Sequence, residues 1–244
     1  PYRGANANMH AVEALLAAGD ATANPALHEQ ALVIAERIVV EFAEPRQWRI
    51  PEHFTSAWEP LLEHHRDQPD HPFQPYGATV GHGLEWSRLL LHLEASRSGS
   101  APAWLLPAAA SLFDRAAADG WFADGRPGFI YTTNWQGVPV VADRMHWVTA
   151  EAVSAAAALY RRTGEPRFAE HARTWWEFAE DYHIDRARGS WIHQLDPANR
   201  PTDTVWPGKP DLYHAVQATL IPRHPLAPCL SASLNAARVR SGEG

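Results

Sequence analysis

The chain has 244 residues, 45% hydrophobic and 20% charged, the balance of a globular protein with one large domain or two ordinary ones. A net charge of −7 leaves no basic surface for nucleic acid, and no apolar run reaches the roughly 18 residues that suggest a membrane span. The single cysteine, Cys229, excludes an intrachain disulfide framework and leads us to expect a reducing, cytoplasmic setting.

The chain opens on "PYRGANANMH", with no initiator Met and no charged-then-apolar leader. The expectation is a piece of a longer protein whose N-terminal part is absent. A first helix is predicted from Asn6 to about Ala21, where Met9, Val12, Leu15 and Leu16 recur at helical spacing. Pro25 opens a second, to about Phe42, on the stripe Leu27, Ala31, Ile34, Ile38 and Phe42. Residues 44–77 hold six prolines and the polar cluster "EHHRDQPDHP", and read as a loop. That cluster has a metal site's composition but no zinc spacing, so a solvated loop is expected.

A third helix is predicted from about Thr79 to Ala95. A fourth lies between Pro102 and Ala118, with either Pro102 or Pro107 in its first turn. "GFIYTTNWQGVPVV" alternates as a short hairpin. Asp143 is expected to cap a fifth helix that runs to about Arg162 and is closed by Gly164. Pro166 begins a sixth, ending near Tyr182. Residues 184–210 read as a loop with a strand pair around "GSWIHQL". Asp211 caps a seventh helix that stops near Pro222, and the tail "AARVRSGEG" is expected to fray.

An internal repeat runs through these elements. "MHAVEALL" at 9–16 returns as "YHAVQATL" at 213–220, and looser copies stand as "HGLEW" from His82 and "HWVTA" from His146. The four histidines, His10, His82, His146 and His214, are spaced by 72, 64 and 68 residues. Each opens the first helix of a helical pair. Repeated helical hairpins make an open solenoid or a closed toroid, and the toroid explains more, because its inner helices aim the same ends at one central pit. The fold expected is therefore all-α, an (α/α) toroid, with four histidines converging.

A helix N-terminus disfavours imidazolium, so a histidine there tends to stay a neutral base. Asn6, His10 and Glu13 share a helix face, as do His82 with Glu85 and His214 with Gln217, and a carboxylate beside an imidazole fixes its tautomer. At the third copy either His146 or its neighbour Trp147 could be the working group. His28, His92 and His171 lie off the motif and read as structural. Eleven tryptophans suit stacking on sugar rings, though most serve as core in any protein.

The blocks "RGANANMHAVEALLAA", "PFQPYGATVGHGLEWSRLLL", "DRMHWVTAEA" and "KPDLYHAVQATLIPR" resemble the N-acylglucosamine 2-epimerase superfamily, nearest its mannose and sulfoquinovose isomerase branch. The resemblance covers nearly the whole chain. It implies an (α/α)6 barrel of six helical hairpins, with residues 1–244 as the C-terminal portion of one catalytic domain. An opened toroid would expose apolar faces, so we expect this chain alone to be poorly stable or to associate.

The resemblance also implies interconversion of free sugars at C1 and C2 through an enediol(ate), with no metal and no cofactor. His82 and His214 would be the acid/base pair, with Glu85 orienting His82. Asn6, His10, His146, Trp147 and Gln217 would bind a monosaccharide. Isomerisation of D-mannose or a related hexose is the leading expectation. A 2-epimerase, a silent sugar-binding remnant and, more weakly, a glycoside hydrolase with facing carboxylates are the alternatives.

Overall fold

The computed structural model describes residues 2–97 and 99–241. Eight α-helices dominate the described residues: α1 (Ala5–Ala21), α2 (Pro25–Ala35), α3 (Val80–Ala95), α4 (Leu105–Gly120), α5 (His146–Thr163), α6 (Pro166–Phe178), α7 (Tyr213–Leu220) and α8 (Leu230–Ser241). α2 and α6 each run on into wider, π-helical turns, over Glu36–Ala43 and Ala179–His183. The second and sixth predicted helices thus have the expected reach. No helix among the described residues is long and apolar enough to cross a membrane.

α1, α3, α5 and α7 form the inner row, each packing on the next, while α2, α4 and α6 pack on the outside of their hairpin partners. α3 and α5 occupy the middle of this arc and are buried almost all round, as a helix clothed on every side must be. Leu84, Leu89, Leu90, Trp86, Phe113, Phe129, Phe168 and Trp175 form the core between the layers.

Short strands set where the inner helices begin. β1 (Tyr2–Gly4) pairs antiparallel with β2 (His53–Thr55) and runs straight into α1. β3 (Ala78–Thr79) pairs with β4 (Thr132–Thr133), which pairs with β5 (Pro139–Val141), and β3 runs straight into α3. β6 (Arg144–Met145) pairs with β7 (Gln194–Leu195), which pairs with β8 (Pro201–Thr202), and β6 runs straight into α5. These pairings anchor three inner-helix N-termini, which otherwise carry unpaired backbone donors.

Several local expectations change. Asp143 is not the cap of α5: the helix starts at His146 behind β6, and Asp143 Oδ1 accepts a hydrogen bond from Gln194 Nε2 at 3.1 Å instead. Gly164 closes α5 as expected, with φ at 73°, in the left-handed region that suits glycine. Leu212, not Asp211, is the N-cap of α7, although Asp211 Oδ1 still accepts from the amide of Tyr213, the first residue of the helix, at 2.8 Å. Pro107, not Pro102, lies in the first turn of α4.

The tail, expected as an unstructured end from Ala236, is helical through Ser241. It belongs to α8, which packs on α1, and residues 242–244 lie outside the described residues. The "EHHRDQPDHP" loop is ordered by its imidazoles: the rings of His53, His64, His65 and His71 follow one another at centroid separations of 4.5, 4.1 and 4.4 Å.

Candidate active site

The strand-to-helix junctions gather around a cavity of about 340 Å3, lined by Asn6, His10, Glu52, His82, Glu85, Tyr131, Trp147, Trp206, Asp211 and His214, among others. It contains Asn6, His10, His82, Glu85, Trp147 and His214 from the sequence reading. A larger cavity of about 620 Å3 adjoins it and shares His10. Its walls are mostly apolar, Leu16, Leu89, Leu212 and Val216 among them, so the chemistry is concentrated in the smaller pit.

Trp147 lines the pit and touches both imidazoles, its ring tilted 5.2 Å from His82 and 5.6 Å from His214 by centroid. Gly81 makes this packing possible: a Cβ there would stand 2.3 Å from Trp147 Cζ3. Gly81→Ala should push the indole off its seat, costing about 1–3 kcal/mol of stability. Lost near-ultraviolet circular dichroism from Trp147, at an otherwise intact fold, is the expected signature. An unchanged spectrum would show that the indole is not so confined.

Each imidazole is held by a buried carboxylate on its Nδ1. His214 Nδ1 donates to Glu151 Oε1 at 3.0 Å, and His82 Nδ1 donates to Glu52 Oε2 at 2.9 Å. Both carboxylates are nearly inaccessible, at 1% and 3% exposure, whereas each histidine keeps 14% of its side chain open. The bond at Nδ1 leaves Nε2 as the ring nitrogen available for chemistry.

Two sequence expectations are corrected here. The carboxylate on His82 comes from Glu52, thirty residues upstream, and not from Glu85. His214 is held by Glu151 on α5, and Gln217, expected to bind the sugar, does not line the pit but the larger cavity.

Glu85 instead joins a buried ionic cluster around Arg88, which is 2% exposed. Arg88 Nε donates to Glu151 Oε2 at 2.8 Å, and its two Nη atoms lie 3.6 Å from Glu85 and from Glu13. Burial, and then the charge of Glu151, push the Glu85 carboxyl well up, against the pull of Arg88. Burial thus biases Glu85 toward its neutral form, at the wall of the pit. Burial alone would raise Glu13 too, but His10, Arg88 and Tyr213 outweigh it and hold Glu13 down at about 2. His10 lies 3.5 Å from Glu13, and the Tyr213 hydroxyl donates to the same carboxylate.

His146 does not reach the pit. It is the first residue of α5 and 1% exposed, so three of the four repeated histidines line the cavity. Burial first, and then neighbouring histidines, keep His146 well below its ordinary value, hence neutral.

Among the described residues, two groups of acidic and histidine side chains come close enough to hold a metal ion. They are His10–Glu13–Glu85 and Glu85–Glu151–His214. Arg88 already lies between their carboxylates, and a second cation there would meet its charge.

A family model described as N-acylglucosamine 2-epimerase matches residues 1–218. A D-mannose isomerase from Thermobifida fusca is 53% identical over 235 residues, which cover 96% of this chain and 58% of that protein. A crystal structure of a D-mannose isomerase superposes with a TM-score of 0.83 at 35% identity, over 89% of this chain and 55% of the other. A cellobiose 2-epimerase from Spirochaeta thermophila shares the fold, with a TM-score of 0.71 at 21% identity, over 91% of this chain and 52% of its own. The chain thus spans just over half the length of these relatives.

Proposed function

Because this chain belongs to the N-acylglucosamine 2-epimerase family, we propose that it carries the proton-transfer site of an aldose–ketose isomerase acting on D-mannose or a related free hexose. The observation that carries this reading is the pair of imidazoles flanking Trp147, each with a buried carboxylate on Nδ1.

In the open-chain aldose, the C2 proton is acidic because the resulting charge spreads onto O1. His214 Nε2 takes that proton, and Glu151 stabilises the imidazolium. His82, held by Glu52, moves protons between O1 and O2 of the enediolate, with Glu85 beside it on α3. His214 then returns its proton to C1, which completes the ketose. Trp147 offers a face for the sugar's C–H groups, with Asn6 and His10 positioned for its hydroxyls. Returning the proton to the other face of C2 would instead give the 2-epimer.

We place residues 1–244 within one (α/α)6 catalytic domain, in line with the share of the relatives that they cover. The lone free thiol, Cys229, suits a cytoplasmic setting.

A ketose assay over a panel of free aldohexoses, with EDTA present, tests the reading. Ketose formed from D-mannose supports it, and no ketose from any hexose would sink it in favour of a sugar-binding role. Glu52→Gln should lower kcat about a hundredfold with little change in KM, since it weakens His82 without touching the sugar. A KM effect of that size instead would make Glu52 a substrate ligand.

A further inference from the structure

Three tyrosines stand at the walls of the two adjoining cavities, and two of them spend their hydroxyls on the protein. Tyr2 Oη donates to His53 Nδ1 at 2.7 Å, and the Tyr213 hydroxyl donates to Glu13. Tyr131 differs. It lines the pit at 4% exposure, and no group among the described residues hydrogen-bonds its hydroxyl. The hydroxyls of Thr132 and Thr133, next in the chain, are sealed in the interior without a partner, whereas that of Tyr131 is not sealed. The surface it keeps therefore faces the pit. A nearly buried hydroxyl with no protein partner is costly unless something else completes it.

The backbone fixes where this hydroxyl stands. The Val80 amide donates to the Tyr131 carbonyl at 3.1 Å, and the Tyr131 amide donates to the Val141 carbonyl at 2.9 Å. Val80 is the first residue of α3 and His82 the third, so Tyr131 is held beside the start of the helix that carries His82. Its ring stands edge-on to Trp147, at 6.1 Å by centroid and 89°. Burial first, and then the charge of Glu52, push the phenol well up, so it stays a neutral donor at physiological pH. The same carboxylate disfavours a second negative charge nearby. The oxygen that meets Tyr131 is thus a neutral hydroxyl, not an oxygen of the enediolate.

We propose that Tyr131 is a substrate-binding residue that donates its phenol to one of the hexose hydroxyls O3, O4 and O6, and so sets which sugars the pit accepts. The proposal rests on the sugar-binding part of the function proposed above. A sugar that carries the hydroxyl completes the bond. One that lacks it leaves the phenol unpaired where the bound sugar has displaced water, which costs more than the bond itself contributes.

The test is a binding cycle between the phenol and the sugar hydroxyls. Calorimetry in a His214→Asn background, where turnover does not interfere, gives Kd for D-mannose and its 3-deoxy, 4-deoxy and 6-deoxy analogues. With Tyr131 present, one analogue should bind at least tenfold more weakly than D-mannose. Tyr131→Phe removes only the oxygen and keeps the ring against Trp147. It should weaken D-mannose about two- to tenfold and bring that analogue within about threefold of D-mannose. A purely structural role would weaken every sugar equally and leave the penalties as they were. Penalties unchanged in Tyr131→Phe, or an unchanged Kd for D-mannose, would overturn the assignment.

Turnover separates the two readings. Ketose formed from D-mannose by wild type, with the penalties unmoved by Tyr131→Phe, would sink the Tyr131 assignment alone. A penalty that collapses in Tyr131→Phe, in a protein whose wild type isomerises no hexose, would keep Tyr131 as a sugar ligand and sink the isomerase. Absence of hexose binding in both backgrounds would overturn both.

Discussion

His82→Asn and His214→Asn are each expected to lower kcat/KM by about 10^3-fold or more, with the fold retained. Asparagine can still donate from its amide to Glu52 or Glu151, so the buried carboxylate keeps a partner and packing near Trp147 survives. What disappears is Nε2, the only atom of either side chain able to take a proton at neutral pH. A positioned acid–base group contributes about 10^2 to 10^4 in rate. Turnover with D-mannose, alongside a thermal melt of each variant, checks the prediction. Activity within tenfold of wild type in either variant would overturn the assignment of that histidine.

Arg88→Met is expected to damage stability more than any single change at the pit. One guanidinium serves Glu13, Glu85 and Glu151, and its removal leaves carboxylates facing one another in the interior. Losing one partner of a buried ion pair costs about 3–5 kcal/mol. For a chain of this size that is a fall in Tm of about 6–20 °C. Arg88→Lys keeps the charge but not the fork, and should lie between.

The pH dependence has a definite sign. Glu13 is depressed to about 2 in the folded protein, so its contribution is present above about 4.5 and is lost as pH falls toward 2. Arg88 supplies part of it, so wild type and Arg88→Met should differ most near neutrality and converge in acid. Glu85 runs the other way: its raised value gives a contribution present in acid and lost as pH rises through that value. Melts from pH 2 to 8 check this, and a gap that widens in acid would contradict it.

The inner-helix row was legible because one short word, histidine followed by an apolar-then-polar pair, recurs at every inner-helix start. The word did not fix how far into each helix its histidine falls. His10 is the sixth residue of α1, His82 the third of α3, His146 the first of α5 and His214 the second of α7. His146, at the very start of its helix, is buried, while the other three line the pit. The carboxylates were harder to find. Glu52 comes from a loop with no periodic pattern and meets His82 only in the folded chain. Glu151 did leave a trace, as the lone charge in the alanine-rich run "TAEAVSAAAALY". The helix α8 escaped notice because "LSASLNAARVRS" has no strong apolar stripe.

The most direct test of the paired imidazoles as an isomerase site is an NMR time course of D-mannose with the protein in D2O. Fructose should appear first, with deuterium at C1, and His214→Asn should abolish both product and label. Glucose appearing before fructose would contradict the isomerase reading and make the site that of a 2-epimerase.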